Sequence, residues 1–318
     1  SRNEIRKMNL HLHEELENIS DKLCQYRTDY TVHEVAEWYK RRKDMSNLFS
    51  YLELMIEEKL KLQKYGTANA YRATFNSLKK FCGREILTFA DIDYQYLRNY
   101  ESFLLGQGNA QNTVAYYLRN LRTVYNRAID EHIFPYPIYG SPFRRIKATS
   151  CATVKRALTA EHLKIVASLD LNGNKSLEFH RDMFMASFYL RGIPFVDLVN
   201  LTRKNIIGNV ICYNRQKTKS RVIIGIIPQL QDLIERYATD DDYLFPFVPN
   251  RICKSRLSYT EYRNALHYYN CNLKELGNLI GLDISLTSYV ARHSWATCAK
   301  NKGVSTAVIS EGLGHSSE

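Results

Sequence analysis

Apolar residues recur every three or four positions through residues 46–133, the spacing typical of amphipathic helices. Four such runs follow one another, and residues that favour turns or caps separate them. We expect Gly66 to end the first run, Thr67 to cap the second, and Gly83 to close it. The four runs cover residues 48–60, 67–82, 96–106 and 112–129. The pattern therefore predicts a four-helix unit over residues 46–133.

The pattern changes in residues 134–154, where three prolines and a glycine predict an extended linker. Beyond the linker, helical runs alternate with short runs of β-branched residues. Thr159 is placed to cap the first of these helices, and Gly208-Asn209 forms a turn between two strands. Helices are expected at 160–170, 176–190, 258–277 and 287–302, with another from Pro228, and strands at 206–207, 210–213 and 222–227. The short strands predict a three-stranded antiparallel sheet.

These elements predict a fold class that is mainly α with a small antiparallel β-sheet. A helical unit over residues 46–133 is joined by the linker to a mixed α+β unit over residues 155–318. The charged residues 1–45 are expected to form a helical coupler at the N-terminal side of the first unit.

The charge of the chain favours a polyanionic partner. Its 318 residues hold 44 Lys and Arg against 33 Asp and Glu, a formal charge of +11. An anionic membrane surface is the rival to nucleic acid, but the basic residues are spread over two units instead of one amphipathic helix. The seven cysteines are odd in number and form no C-x-x-C pair, which favours reduced thiols in a cytoplasmic protein without a metal site. The sequence therefore predicts double-stranded DNA as the partner and no membrane.

Basic residues are interleaved with the apolar positions of the first unit. They can form a solvated polar face, or they can contact the phosphates of a duplex. Both interpretations stay open at this point. The residues are Lys79, Lys80, Arg119, Arg122 and Arg127.

Four motifs of the second unit carry residues suited to phosphate chemistry. Arg191 lies in LRGIPFVDL, Lys217 in NRQKTKSR, Arg292 in SYVARHSW and His315 in GLGHSS. Each residue alone has a structural explanation; Arg191, for example, could pair with Asp197. Taken together and in this order, the motifs resemble the tyrosine recombinase (phage integrase) family.

The resemblance runs from about residue 46 to the end of the chain. The strings RGIPFVDL, SYVARHSWAT and ISEGLGH resemble integrases of Bacteroides-type mobile elements. The resemblance implies that residues 46–133 are a core DNA-binding domain and residues 155–318 a catalytic domain. Residues 1–45 would then be the coupler, or the remnant of an arm-binding region that many relatives carry.

The family's chemistry explains the residue types. A tyrosine hydroxyl attacks a phosphodiester and forms a 3′-phosphotyrosine, and cationic side chains take the place of a metal or other cofactor. The resemblance implies that Arg292 clamps the scissile phosphate, that Lys217 protonates the leaving 5′-oxygen, and that His315 hydrogen-bonds the phosphate. Lys219 is a rival for the general-acid role and otherwise a DNA contact. His293 is expected to pack and not to act in catalysis.

The sequence departs from the family pattern at three places. Pro194 stands where the first arginine is usual, so its role passes to Arg191, one helical turn earlier. Tyr289 stands where a histidine is usual, and a phenol can position a phosphate but is a poorer base. Only Ser-Ser-Glu follows His315, whereas the family's nucleophilic tyrosine comes shortly after that histidine. The chain is therefore expected to bind DNA without cleaving it.

The function implied is that of a site-specific recombinase, the integrase of a mobile element, acting in the bacterial cytoplasm. The family implies a tetramer on paired recombination sites and a monomer without DNA. The alternative is a non-catalytic DNA-binding regulator that keeps a recombinase-like clamp. A type IB topoisomerase shares the active-site chemistry, but the separate four-helix unit and the RGIPFVDL string favour the recombinase.

Overall fold

The computed structural model describes residues 46–134, 140–149, 151–152, 156–238, 242–248 and 257–314, together with His13. The coupler predicted for residues 1–45 lies, apart from His13, outside the described residues, and so does His315. The chain divides into two compact units, Ser1–Ala152 and Thr153–Glu318. Each unit has its own hydrophobic core.

The first unit contains the four helices that the apolar spacing predicts. They are α1 (Leu48–Lys61), α2 (Tyr65–Cys82), α3 (Tyr94–Gly106) and α4 (Gln111–Asp130). Gly83 ends α2 in the left-handed conformation, as expected. The expectation for Gly66 and Thr67 is wrong, because both lie inside α2. The chain reverses earlier, at Gln63, whose φ of 54° makes the turn without a glycine.

Part of the predicted linker packs on this first unit. A short 3₁₀ turn, Pro142–Arg145, is followed by buried Ile146 and Ala148. Arg122 on α4 holds this segment by donating to the carbonyl oxygens of Phe143 and Ile146, at 2.9 and 2.8 Å. Because these carbonyls have left the solvent, the arginine supplies the hydrogen bonds that water no longer gives them.

The second unit has seven helices in its described part. They are α5 (Ala160–Ser168), α6 (Lys175–Tyr189), α7 (Phe195–Leu198), α8 (Pro228–Arg236), α9 (Tyr259–Leu279), α10 (Ser288–Asn301) and α11 (Thr306–Gly312). Thr159 caps α5 by accepting from the backbone N–H of His162, which confirms its expected role. The sequence pattern missed α7 and α11 because four and seven residues are too short to show a helical period.

The predicted three-stranded antiparallel sheet is confirmed. It runs in the order β1 (Ile206–Ile207), β2 (Val210–Asn214) and β3 (Arg221–Gly225), with Cys212 opposite Ile223. The inward face of the sheet is apolar. Arg215, the residue that follows β2, is buried on the same face. The inward residues are Ile211, Tyr213, Val222 and Ile224.

Helix α6 is the centre of the second unit. It packs against α5, α8, α9 and α10, and most of its residues are buried. Phe184 and Ala186 have no exposed surface. Because the end of α6 at Tyr189 is held in the core, the position of the turn that follows it is fixed.

Among the described residues, no helix is long and apolar enough to cross a membrane.

Arg122→Ala tests whether the segment after α4 is part of the first unit. Removing the guanidinium leaves two backbone carbonyls of buried residues without a donor, so we expect a loss of roughly 2–4 kcal/mol in the free energy of unfolding. Urea denaturation followed by circular dichroism measures this loss. The control is Arg72→Ala, which removes an exposed arginine on α2 and should cost less than about 0.5 kcal/mol. Equal effects of the two substitutions would contradict the structural role of Arg122.

Candidate functional site

Arg292 is a buried arginine in the second turn of α10. The residue is 5% exposed, and its Nη1 donates to the carbonyl oxygen of Gly192 at 3.0 Å. Its Nη2 donates to the carbonyl oxygen of Leu313 at 2.6 Å. Burial lowers the pKa of Arg292, and the nearby Arg215 lowers it further. The guanidinium nevertheless stays protonated in a protein, so the structure holds a buried cation at this place.

Gly192 lets the backbone of the turn after α6 approach Arg292 closely. It has a φ of 69°, in the left-handed region. A Cβ at this position would lie 2.7 Å from Cβ of Arg292 and still closer to its Cα. No other residue fits this contact, which is why a glycine follows Arg191.

Arg191 lies in the same turn, directly after α6. It has a φ of 55° and its backbone N–H donates to the carbonyl oxygen of Phe188. The charges of Arg191 and Arg292 both act to lower the pKa of the Tyr213 hydroxyl, so both arginines lie near it. Pro194 is the N-cap residue of α7.

Asp197 on α7 supplies the negative charge of the cluster. It is 6% exposed, and its Oδ1 accepts a hydrogen bond from the backbone N–H of Gln216 at 2.9 Å. Its Oδ2 is buried and has no hydrogen-bond partner within the described part of the chain. Burial raises the pKa of the Asp197 carboxyl, while the charges of Arg215 and Arg292 oppose that rise.

Arg215 is a member of the cluster that the sequence reasoning missed. It is 8% exposed, and its Nη1 donates to the carbonyl oxygen of Gly314 at 2.9 Å. The alternation of side chains along β2 could have predicted its burial, because Ile211 and Tyr213, at every second position, point inward. Arg215 continues that alternation, so it is directed into the core and not toward the solvent like its neighbours.

The cluster thus brings together two buried guanidinium groups and one carboxylate, with Arg191 beside them. The charge of the Asp197 carboxylate acts on both Arg215 and Arg292. Burial raises the pKa of the nearby Tyr213 hydroxyl. Two buried guanidinium groups this close together are suited to binding an anion.

Lys217 and Lys219 lie on the turn between β2 and β3. Both are exposed, and the backbone N–H of Lys219 donates to the carbonyl oxygen of Arg215. Lys219 has a φ of 60°, and its charge acts on the Asp197 carboxylate. The structure therefore places the turn that carries both lysines next to the cluster, and the choice of Lys217 as general acid stays a prediction.

Tyr289 lies one turn before Arg292 on α10 and is 56% exposed. The ring of His293 meets it edge-on, with ring centroids 4.8 Å apart, so His293 packs against Tyr289. Tyr289, Arg292 and Pro194 line a small cavity of about 180 Å³. His315 itself lies outside the described residues, but Gly314 before it is placed beside Arg215.

The basic residues predicted to contact DNA in the first unit have different surroundings. Lys79 lies 5.3 Å from the ring centroid of Phe75 and pairs with Glu85. Lys80 and Arg119 are exposed. Arg127 is bound by two carboxylates, and Arg122 by the backbone carbonyls described above. The last two residues stabilise the unit itself, and their contact with DNA stays a prediction.

No group of three or more His, Cys, Asp or Glu side chains that could hold a metal ion is found in the described ranges. The cationic cluster of the second unit is suited to binding a phosphate.

Comparison with known proteins finds relatives of this chain in sequence and in fold. The phage integrase SAM-like domain family matches residues 47–146. The tyrosine recombinase XerD of Bradyrhizobium diazoefficiens is 24% identical over 262 residues, which cover 78% of this chain and 82% of the relative. These are similarities in sequence, and they extend across both units.

Solved structures show the same fold. A lambda integrase tetramer bound to a Holliday junction matches with a TM-score of 0.63 at 16% identity, over 95% of this chain and 86% of that one. The Tn1549 transposon integrase in complex with transposon right end DNA matches with a TM-score of 0.62 at 14% identity, over 85% of this chain and 91% of that one. The predicted fold class is confirmed. The narrower likeness to Bacteroides-type integrases stays a prediction.

Gly192→Ala tests the close approach on which the site depends. The new methyl group would collide with Arg292 and would also strain a left-handed residue, so we expect a loss of about 3 kcal/mol or more in the free energy of unfolding. Urea denaturation measures it.

The matched control is Gly173→Ala. That glycine has a similar φ of 77°, but no atom lies within 4 Å of the place that its new methyl group would take. It should therefore lose only about 1–2 kcal/mol, the cost of the left-handed backbone. A loss at Gly192 no greater than at Gly173 would show that the contact with Arg292 is not tight.

Proposed function

We propose that this chain, which belongs to the tyrosine recombinase (phage integrase) family, is a site-specific recombinase that cuts and rejoins DNA through a 3′-phosphotyrosine intermediate. The observation that carries the proposal is the pair of buried guanidinium groups, Arg292 and Arg215, near the carboxylate of Asp197. A phosphodiester has one negative charge per phosphate, and guanidinium groups bind phosphate oxygens through charged hydrogen bonds.

In this proposal Arg292 and Arg191 stabilise the charge that develops on the non-bridging oxygens of the scissile phosphate. Arginine suits this role because it stays charged and offers two parallel donors to two oxygens. Tyr289 positions the phosphate from its exposed place on α10, and His315 donates to it. Lys217 protonates the leaving 5′-oxygen from the exposed turn between β2 and β3. No metal or other cofactor has a part in this mechanism.

The nucleophile is a tyrosine that the family places shortly after the histidine matched by His315. Residues 316–318 are Ser, Ser and Glu. We therefore propose that a protein of residues 1–318 binds DNA without cleaving it. The mechanism above describes the chain together with its nucleophile.

Residues 46–133 act as the core DNA-binding domain, and residues 155–318 act as the catalytic domain. The surroundings of the basic residues refine which side chains contact DNA. Lys80 and Arg119 are exposed on α2 and α4. In the segment that packs on α4, Arg144, Arg145 and Lys147 are exposed. The neighbouring apolar residues, Phe143, Ile146 and Ala148, are buried. This alternation presents a basic edge that can follow a phosphate backbone.

The assembly and location follow from the family. The lambda integrase structure is a tetramer on a Holliday junction, and we propose that this chain also forms a tetramer on paired recombination sites. Without DNA it is a monomer. As the integrase of a mobile element it acts on DNA in the bacterial cytoplasm.

The salt dependence of DNA binding separates phosphate contacts from structural arginines. In the double variant Arg144→Ala/Arg145→Ala, we expect weaker binding to any duplex and a slope of log K against log salt reduced by about 0.9 for each lost contact. Fluorescence anisotropy with a labelled duplex at several salt concentrations measures the slope.

The control is Arg127→Ala. Arg127 is neutralised by Glu58 and Glu131, each 2.6 Å away, so this change should lower stability and leave the slope unchanged. A slope that falls for Arg127→Ala and not for the double variant would place the DNA on the opposite face of the unit.

Strand cleavage by the full-length natural protein tests the catalytic roles. On a nicked duplex that carries the ends of the element, we expect a covalent protein–DNA adduct. Lys217→Ala should lower its rate of formation roughly 10²–10⁴-fold, the range typical of a lost general acid, and Lys219→Ala should lower it less than about 10-fold. Denaturing gel electrophoresis resolves the adduct.

Two other outcomes are informative. A larger effect at Lys219 than at Lys217 would transfer the general-acid role to Lys219. Tight binding with no adduct from the full-length protein would favour the alternative, a DNA-binding regulator with a recombinase-like clamp. Residues 1–318 alone should bind the duplex and give no adduct.

A further inference from the structure

The carbonyl oxygen of Gly314 is a meeting point of three donors. It accepts from Nη1 of Arg215 at 2.9 Å, from the hydroxyl of Ser220 at 3.1 Å, and from the hydroxyl of Thr218 at 3.3 Å. The two hydroxyls are themselves 2.6 Å apart. One backbone oxygen thus holds a whole side-chain network, of which the charged bond from Arg215 is the strongest.

All three donors belong to the turn between β2 and β3, the turn that carries Lys217. The backbone closes this turn through a hydrogen bond from the N–H of Arg215 to the carbonyl oxygen of Ser220. Lys217 lies between Arg215 and Thr218 in sequence, so its backbone is fixed on both sides by bonds to Gly314. The lysine side chain remains exposed.

Gly314 packs directly against the sheet. It has a φ of 68°, and a Cβ at this position would lie 3.1 Å from Cγ2 of Val222 and 3.3 Å from Cδ of Arg215. The residue just before it, Leu313, accepts the hydrogen bond from Arg292. The turn Leu313–Gly314 therefore connects Arg292 on one side with the turn of Lys217 on the other.

Arg215 is also held from the opposite direction. Its charge acts on the Asp197 carboxylate, and Asp197 accepts from the backbone N–H of Gln216, the next residue. The guanidinium thus lies between a fixed carboxylate and a fixed carbonyl. A neutral side chain of similar length would lose the charged bond to Gly314 and leave Asp197 with less compensation.

We infer that Arg215 is a positioning residue: it ties the turn that carries Lys217 to the Leu313–Gly314 turn that also holds Arg292, so that the general acid keeps its place relative to the arginine that binds the phosphate. In this inference Arg215 does not act on the reacting atoms; its guanidinium holds the carbonyl oxygen of Gly314. It acts through Lys217. This inference rests on the proposed function, since it assigns a partner to the general acid of that reaction.

A positioning role of this kind has a specific chemical signature. In cleavage, the tyrosine oxygen forms a bond to phosphorus while the bond from phosphorus to the 5′-oxygen breaks, and Lys217 gives its proton to that oxygen. If sulfur replaces the bridging 5′-oxygen, the leaving thiolate is stable without a proton. A defect in general acid catalysis therefore disappears on the sulfur substrate, whereas a defect in stabilising the phosphate charge remains.

The experiment compares variants of the full-length protein on the oxygen and sulfur duplexes. Arg215→Gln and Lys217→Ala should both be slowed roughly 10²-fold or more on oxygen, and both should return to within about 10-fold of the unchanged protein on sulfur. Arg292→Gln should stay slow on both. If the Arg215→Gln protein cleaves the sulfur duplex as slowly as the oxygen duplex, Arg215 is a direct phosphate ligand and the inference is wrong. An Arg215→Gln protein with the normal rate on oxygen would also overturn the inference.

A second measurement does not depend on cleavage. Amide hydrogen exchange in residues 1–318 reports on the two turns directly, through the amide of Lys219, bonded to Arg215, and the amide of Gly314, bonded to Glu311. Arg215→Gln should speed exchange at both amides by about 10-fold or more. The control Arg221→Gln changes an exposed arginine on β3 and should affect neither Lys219 nor Gly314.

The two measurements separate the inference from the proposed function. Faster exchange at only one of the turns, or at neither, would show that Arg215 does not couple them. If the unchanged full-length protein cleaves neither duplex, the proposed function fails, and the exchange data still decide whether Arg215 couples the turns.

Discussion

The second unit depends on how it holds one charge, the buried guanidinium of Arg292. A cation at 5% exposure is unfavourable unless hydrogen bonds and an opposite charge replace the water it has lost. The carbonyl oxygens of Gly192 and Leu313 supply the hydrogen bonds, and Asp197 supplies the opposite charge. Arg215 then adds a second buried cation. Two buried cations this close together are suited to an anionic ligand.

The fold brings these groups together from distant parts of the sequence. Helix α6 ends in the core and delivers Arg191 and Gly192. Beyond them, α7 presents Asp197, the turn after β2 presents Arg215, and α10 presents Arg292. The last described turn, Leu313–Gly314, closes the site with its two carbonyls. Most of these residues sit at or near the end of an element, where packing fixes the backbone and leaves the side chain free to reach the centre.

Much of this arrangement could be predicted from the sequence, because it follows local rules. The four helices of the first unit, the cap at Thr159 and the antiparallel sheet each have a signal within a few residues. The turn at Gln63 was not predicted, because a non-glycine residue adopts the left-handed conformation there. Gly66 nearby gave a stronger but misleading indication of a helix end. Helices α7 and α11 were not predicted because they are too short to show the repeating spacing of apolar residues that is typical of a helix.

The residues of the site could also be predicted only in part. Arg191, Lys217 and Arg292 could be found because family motifs surround them. Arg215 lies in the motif of Lys217, but its burial depends on Asp197 and Gly314, which lie outside that motif. The first unit shows the reverse case: Arg122 and Arg127 have the composition of a DNA-binding face, yet their partners lie inside the unit. A charged residue's role is set by the partner it meets in space, which sequence spacing alone does not give.

If the buried cluster is an anion site, the unfolding temperature in phosphate reports on it most directly. At constant ionic strength, replacing chloride with phosphate should raise the unfolding temperature along a saturable binding curve. Arg292→Gln should show no such rise. If both proteins respond to phosphate equally, the effect belongs to the solvent and the cluster is not an anion site.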